Sequence, residues 1–323
     1  MDVAGLWTLQ CMMFLLAAFG AILKRKGILK EESRGIITDL VMYGLLPCNI
    51  INSFRMEFDL EILKRFALVL GISMSVQVVS YGLSRVLYNH KPDAVKRVLQ
   101  YCTIVSNSGF LGLPIVEGVF GAEGMMYASV YIIPMRVMMW SAGIACFTTS
   151  PDMKSVVKKI AVHPCIVAVY IGLGLMFLQV PLGIVYGELL QTAGPLSVVI
   201  QTLVLALDKA VKSLGGCTTA ITMILIGTML ADMKLKDMVD LDALLISVVR
   251  LGLLPGMLLA GCRIFGLDPL LAGICVLITG MPAGSTSAIL AAKYGCDYMF
   301  ATKCVVVSTL LSMLTIPLWC MVF

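Results

Sequence analysis

The sequence predicts an all-α polytopic membrane protein with ten transmembrane helices arranged as a 5+5 inverted repeat. Three observations predict this class: the composition, the lengths of the apolar runs, and a pair of interruptions in corresponding runs. Apolar residues make up 59% of the 323 residues and charged residues only 13%, whereas a soluble domain carries about a quarter charged residues. The composition therefore excludes an ordinary soluble protein, and the basic excess indicates membrane orientation rather than nucleic-acid binding.

Ten apolar runs approach the roughly 20 residues that a helix needs to cross the hydrocarbon core. The predicted spans lie at roughly 4–23, 36–54, 64–87, 97–118, 123–148, 159–181, 209–231, 242–264, 269–292 and 298–321. The first run has no basic segment before it and no cleavage site after it, so we expect a retained helix and not a signal peptide. The apolar stretch from Gly194 to Leu207 is shorter and begins with Gly-Pro, so we interpret it as an interfacial or re-entrant segment.

Basic residues are concentrated in alternate loops, for example at Lys24, Arg25, Lys26, Lys96 and Lys158. By the positive-inside rule these loops face the cytoplasm, so both termini of this cell (inner) membrane protein face away from it. Each half has five spans, an odd number, so the second half enters the membrane in the opposite sense. The predicted units are a first repeat (1–148), a short cytoplasmic connector (149–158) and an inverted second repeat (159–323).

The fourth span of each half is interrupted by a helix-breaking cluster. The clusters run from Ser106 to Pro114 and from Gly280 to Ala288. Irregular backbone survives in a membrane only where it lines a cavity or is buried in protein, and paired breaks in two halves indicate a transporter's binding site. The N-termini of the resumed helices, which we expect near Gly112 and Ser285, suit a carboxylate. Two kinks that serve only packing are the alternative.

One charged residue, Arg136, lies near the centre of the predicted fifth span. An arginine at that depth is costly and normally faces a cavity or a partner, so we interpret it as a counter-charge for an anionic substrate; a structural ion pair or snorkelling is the alternative. No acidic residue lies in or beside either interruption, which disfavours cation exchange. Asp39 is the nearest candidate proton carrier, and we prefer to interpret it as a helix-start residue.

The sequence lacks the spacings that an enzyme or a metal protein would need. No nucleotide-binding loop, catalytic triad or C-x-x-C pair appears, and both His90 and His163 lie at or near loops. We therefore expect no enzymatic activity, no cofactor and no metal.

Five segments together resemble the auxin efflux carrier family: Ser106–Pro114, Met281–Ala283, His163–Pro164, Ile226–Ala231 and Arg250–Pro255. The resemblance implies that broken helices 4 and 9 cross, with a scaffold domain from helices 1, 2, 6 and 7 and a transport domain from helices 3–5 and 8–10. It also implies transport of organic anions, auxin in plants and dicarboxylates such as malate or malonate in bacteria, and a homodimer. The short connector favours a compact bacterial-type carrier over an auxin carrier.

The resemblance also extends the candidate site. It maps the crossing prolines onto Pro114 and Pro282, the break asparagine onto Asn107, and the scaffold proline onto Pro47 in Pro47-Cys48-Asn49. The candidate substrate-binding residues are Pro47, Asn49, Asn107, Ser108, Gly109, Gly112, Pro114, Arg136, Pro282, Ala283, Gly284, Ser285 and Thr286.

We expect a secondary active transporter that moves a small carboxylate or dicarboxylate by alternating access, through an elevator-like or rocking movement. Its partners would be the anion, the bilayer and a second copy of the chain. The alternative is a sodium-coupled symporter of bile-acid-like or other bulky anions, in which oxygens of Thr103, Asn107, Ser108, Ser285 and Thr286 hold the ion. The coupling ion, H⁺ or Na⁺, stays open. A receptor or channel is a third possibility and predicts no saturable flux.

Overall fold

The computed structural model describes residues 3–55, 59–147, 154, 157–158, 161–192, 196–231 and 240–323, and this part of the chain is helical without a β-strand. The helices are α1 (Val3–Arg25), α2 (Glu31–Leu40), α3 (Leu46–Ser53), α4 (Leu60–Leu87), α5 (Asp93–Ile104), α6 (Leu113–Met138), α7 (Ile144–Phe147), α8 (Pro164–Thr192), α9 (Leu196–Gly216), α10 (Thr218–Ala231), α11 (Leu241–Val248), α12 (Leu254–Ile264), α13 (Pro269–Thr279), α14 (Thr286–Lys293) and α15 (Tyr298–Cys320). Single π-helical turns lie at Val41–Leu45, Ser108–Gly112, Met139–Gly143 and Val249–Leu253. Most of the predicted connector, 149–158, lies outside the described residues.

Several of these helices are suited to a bilayer. Six helical segments in the described part are long and apolar enough to cross a membrane: Glu32–Ser53, Leu60–Leu87, Ser108–Phe147, Ser197–Met229, Leu241–Ile264 and Tyr298–Cys320. Two shorter helices, Pro164–Leu178 and Pro269–Thr279, are also apolar. The chain is therefore an all-α, multi-pass membrane protein, as the composition predicts.

The predicted seventh span, 209–231, is wrong in its bounds. Helix α9 runs from Leu196 to Gly216, and the chain breaks at Cys217 before α10 begins. The stretch that we interpreted as an interfacial or re-entrant segment is thus the first half of a 21-residue helix. Its outward side chains, such as Val198 and Leu207, are 65% and 67% exposed, as on a helix whose outer face is apolar.

Charge pairing explains why α9 continues through residues that look like a helix end. Asp208 forms ion pairs with Arg55 and with Lys212, the latter at 3.0 Å between Nζ and Oδ2. The Asn52 carboxamide donates to the Val211 carbonyl at 3.1 Å, which attaches α9 to α3. Because the charges offset one another, the polar cluster does not stop the helix.

Helices α1 and α10 are in backbone contact. A Cβ atom at Gly227 would lie 1.9 Å from the Ala17 carbonyl oxygen, and one at Gly20 would lie 2.1 Å from the Ile224 carbonyl oxygen. Small residues at such positions let membrane helices approach closely. Close van der Waals packing then stabilises the pair, because the hydrophobic effect does not drive helices together in lipid.

Helices in the described part pack as close neighbours, and α3 and α6 also contact each other. Helices α1 and α10 contact each other, and α3 contacts α8 and α9. Helix α6 packs against α4 and α13, whereas α15 packs against α11 and α14. Within α6, Gly121 has non-helical torsions (φ 68°, ψ −160°), and this residue separates the predicted fourth and fifth spans.

Candidate functional site

The two interruptions meet in the interior of the protein. The Asn107 N–H donates to the Pro282 carbonyl at 2.8 Å, and the Gly284 N–H donates to the Val105 carbonyl at 3.0 Å. Ser106 and Ala283 form an isolated antiparallel bridge between the same segments. Each irregular segment therefore satisfies backbone groups of the other, which is the condition for non-helical backbone at membrane depth. We refer to residues 105–108 and 280–285 together as the junction.

The first helix resumes one turn earlier than the sequence predicts. We expected its N-terminus near Gly112, but the π-helical turn begins at Ser108. The Asn107 carbonyl accepts from the N–H groups of Leu111 at 3.0 Å and Gly112 at 3.3 Å. Pro114 follows at the start of α6, inside the same continuous helix, and contributes no N–H to its hydrogen bonds. The second helix resumes at α14, immediately after the 280–285 segment, as expected.

Glycines and serines hold the junction together. A Cβ atom at Gly112 would lie 2.9 Å from Cγ of Met281, so Gly112 permits close packing rather than lining a cavity. The Ser108 hydroxyl donates to the Ile278 carbonyl at 3.2 Å and also contacts the Ser106 hydroxyl. These contacts make the junction one packed unit.

A cavity of about 690 Å³ lies beside the junction. It is lined by Met42, Tyr43, Leu46, Ser106, Asn107, Gly109, Phe110, Met135, Arg136, Met139, Trp140, Lys158, Val162, His163, Pro164, Cys165, Gly284, Ser285, Thr286, Ile289 and Leu290. Polar groups thus come from both interruptions, from α6 and from the start of α8. A largely apolar cleft with a few convergent polar groups is the usual form of a small-molecule site.

The candidate residues fall into three groups. Those that line the cavity are Asn107, Gly109, Arg136, Gly284, Ser285 and Thr286. Those that belong to the junction or its flanking helix and do not line the cavity are Ser108, Gly112, Pro114, Pro282 and Ala283. Pro47 and Asn49 lie on α3, outside the cavity lining.

Asn49 contacts a glutamate on α6 and does not line the cavity. Its carboxamide donates to Oε2 of Glu117 at 2.7 Å, which joins α3 to α6. Glu117 lies about one turn beyond the first interruption, so an acidic residue does lie beside it, contrary to our expectation from the sequence. The cavity wall on this side is instead formed by Met42, Tyr43 and Leu46, which precede Pro47 in the chain.

Arg136 is buried in the cavity wall, with 6% of its surface exposed. Its Nη1 lies 2.6 Å from Nε2 of His163. Because a guanidinium can only donate, Nε2 accepts from Arg136, and the Cys165 N–H faces Nδ1 on the other side of the ring at 3.3 Å. In the described part of the chain Arg136 forms no ion pair with a carboxylate, so His163 holds the guanidinium in place without neutralising its charge.

Two further basic groups of the cavity were missed by sequence reasoning. His163 entered only as part of the His163-Pro164 resemblance, and Lys158 only as a loop charge. Lys158 and Val162 are exposed and line the cavity, so the cavity reaches the surface beside them. One local feature of the sequence could have indicated these two basic groups: a His-Pro pair begins an apolar run immediately after a basic loop.

The hydroxyls at the second interruption have distinct environments. Thr286 shares a hydrogen bond of 2.8 Å with the Tyr101 hydroxyl, which fixes its side chain. Ser285 is half-buried on the cavity wall, and its hydroxyl is the more available of the two for a ligand.

Replacement of Gly109 by alanine should weaken anion binding about threefold. A Cβ atom there would lie 3.0 Å from Nη2 of Arg136, so the guanidinium must shift and its contact to an anion lengthens. Titration calorimetry with malonate measures the change. Gly82→Ala is the control, because a Cβ atom at Gly82 meets nothing within 4 Å; equal affinities for the two variants would contradict the expectation.

Comparisons of the whole chain with known proteins all identify membrane transporters. Residues 8–153 and 150–320 match the model of a family described as "Membrane transport protein". The chain is 27% identical over 314 residues, 95% of each chain, to an uncharacterised transporter of Methanothermobacter thermautotrophicus. It is 23% identical over 313 residues, 94% of each chain, to an uncharacterised transporter of Methanocaldococcus jannaschii.

Proposed function

Because the chain belongs to the membrane transport protein family, the family of the auxin efflux carriers, we propose that it is a secondary active transporter of a small organic anion, a carboxylate or a dicarboxylate. The observation that carries the proposal is the cationic side chain of Arg136, buried in the wall of a 690 Å³ cavity and without a carboxylate partner in the described part of the chain. A buried charge is stable only when it is paired, and an anionic substrate supplies the missing partner.

The surrounding backbone favours the same ligand. The helix resumes at Ser108, so its first turn includes Gly109, against which the Arg136 guanidinium packs. The first N–H groups of a helix have no partner within it and carry partial positive charge. In the proposed complex one carboxylate binds Arg136 and this helix end, while Asn107 and Ser285 donate further hydrogen bonds.

A second carboxylate of the substrate would face the mouth of the cavity. Lys158 lines the cavity on that side and is exposed, so its ammonium group can approach a second anionic group. This arrangement favours a dicarboxylate over a monocarboxylate of the same length.

The transport cycle follows from the position of the cavity. With the predicted orientation the mouth lies on the cytoplasmic side, so the described state corresponds to an inward-open carrier. Contacts between the two interruptions support the proposed crossing of broken helices within a ten-helix inverted repeat. The proposed elevator-like or rocking movement would displace α6, α13 and α15 relative to α1, α3 and α10, across the contacts of α3 with α6 and of α1 with α15.

Purified protein tests the function directly. We expect malonate or malate to raise the unfolding temperature saturably and to be transported by proteoliposomes, and uncharged malonamide to do neither. Asn107→Ala and Ser285→Ala should each weaken binding about tenfold, because each removes one hydrogen bond to a charged group. Wild-type affinity in both variants would exclude the junction as the binding site.

A matched control separates binding from folding. Ser75→Ala removes a hydroxyl on the exposed side of α4, where it only donates to the Gly71 carbonyl at 2.9 Å. We expect this variant to bind malonate as the wild type does. Transport by a protein that no mono- or dicarboxylate stabilises would contradict the proposed substrate class.

A further inference from the structure

A second arginine, Arg250, is buried at the junction and does not line the cavity. It is 2% exposed and lies in the π-helical turn Val249–Leu253. Its Nη1 donates to the Thr103 carbonyl at 2.9 Å, and its Nη2 donates to the Thr279 carbonyl at 3.1 Å. The Met281 carbonyl accepts from Nη2 at 3.3 Å and from Nε at 3.4 Å.

These carbonyls belong to the ends of both interrupted helices. Thr103 lies in the last turn of α5, and Thr279 is the last residue of α13. The last carbonyls of a helix have no partner within it and carry partial negative charge. Two such ends converge here, so the junction needs a cation or several donors to be stable in the membrane.

The nearby hydroxyl oxygens are also occupied. The Thr103 hydroxyl donates to the Leu99 carbonyl at 2.9 Å and shares a hydrogen bond of 3.1 Å with the Tyr88 hydroxyl. The Thr279 hydroxyl shares a hydrogen bond of 2.6 Å with the Tyr131 hydroxyl. Unwound carbonyls and half-helix C-terminal ends are the groups with which carriers coordinate sodium, and in this chain Arg250 already binds them.

We propose that Arg250 is a fixed internal cation: a positioning residue that holds the C-terminal ends of both half-helices and fills the carbonyl site a sodium ion would otherwise take. The junction, and the substrate site beside it, is then assembled without sodium. This inference rests on the proposed transport function and deepens it, because it removes sodium from the junction as the coupling ion.

The wild-type protein gives the first test. Thermal unfolding is compared in sodium chloride and in choline chloride at equal ionic strength. We expect the same Tm in both salts, because the carbonyl site is occupied. A saturable rise of Tm with sodium that choline does not reproduce would overturn the proposal.

Variants of Arg250 give the second test. Arg250→Ala should lower Tm by about 5 °C, and guanidinium chloride, at concentrations too low to unfold the wild type, should restore part of the loss. The emptied site should also make Arg250→Ala sensitive to sodium, a property that a purely structural role would not create. Arg250→Lys keeps a cation without the planar fork, so we expect an intermediate Tm and no response to sodium.

Arg263→Ala is the control, because Arg263 lies in the last turn of α12 and is exposed. Guanidinium should not raise its Tm. An equal response of the two alanine variants to guanidinium and to sodium would contradict the proposal. If Arg250→Ala does not fold, the comparison of salts with the wild-type protein and the Tm of Arg250→Lys decide whether the proposal is correct.

Malonate binding, measured in the same unfolding assay, keeps the two proposals distinguishable. If malonate stabilises the wild type and sodium also does so, the assignment of Arg250 fails and the transport function stands. If neither malonate nor any related carboxylate binds, the function fails whatever the response to sodium.

Discussion

Replacement of Arg136 by glutamine should lower the affinity for a carboxylate substrate about 100-fold and leave the protein folded. The guanidinium is the one cationic side chain that combines deep burial with a place on the cavity wall in the described part of the chain. A hydrogen bond to a charged group contributes about 1.5–3 kcal/mol, and a guanidinium makes two such bonds to a carboxylate. Glutamine keeps one amide donor on a shorter side chain and removes the charge and the fork.

Stability should change little or rise, because a buried charge without a carboxylate partner does not favour folding. Titration calorimetry with malonate and counterflow in proteoliposomes measure the loss. Arg97→Gln makes the same change of charge on the exposed face of α5 and should bind malonate normally. A protein with glutamine at 136 that inserts, folds and transports at the wild-type rate would remove Arg136 from the site.

The junction and Arg136 could be predicted because their signals are local. Glycine and proline clusters break a helix wherever they occur, and an arginine in an apolar run needs a cavity or a partner wherever the run is placed. The exact start of the first resumed helix was not predictable in the same way. Propensity places it after the last glycine, at Gly112, whereas a π-helical turn tolerates Gly109 and Gly112 inside the helix.

The face of the second predicted span was also beyond sequence reasoning. The resemblance maps a site proline onto Pro47, but the cavity is lined by Met42, Tyr43 and Leu46. A π-helical turn at 41–45 shifts the helical face, because it adds one residue to a turn of 3.6. Asn49 consequently turns toward Glu117.

The other residues that the sequence did not single out owe their roles to contacts between distant parts of the chain. His163 acquires its role from Arg136, which lies in another helix. Arg250 acquires its role from carbonyls of Thr103 and Thr279, and a backbone carbonyl leaves no trace in a sequence. Composition and periodicity report on one segment at a time, so side chains that hold two segments together are not distinguished from ordinary loop or core residues.

Replacement of Gly227 by alanine should destabilise the protein by about 3 kcal/mol and lower its Tm by about 4 °C. In an isolated helix the same change is favourable by about 1 kcal/mol, because alanine is the better helix former. Here the added Cβ atom would lie 1.9 Å from the Ala17 carbonyl oxygen, and that atom belongs to the backbone of α1. The helices must therefore separate, and the neighbouring contact at Gly20 is lost with them.

An isolated helix would be stabilised by a glycine-to-alanine change, so a lower Tm distinguishes the backbone contact from helix propensity. Gly174→Ala on α8 adds the same atom where nothing lies within 4 Å, so we expect an unchanged or slightly higher Tm. Thermal unfolding of both detergent-solubilised variants measures the difference, and malonate titration of the surviving Gly227→Ala fraction tests the site. If α1 and α10 form part of a rigid scaffold, that fraction binds malonate with lower affinity although neither glycine lines the cavity. A Tm equal to that of Gly174→Ala would contradict the backbone contact, and loss of stability with full affinity would show that the substrate site does not depend on this helix pair.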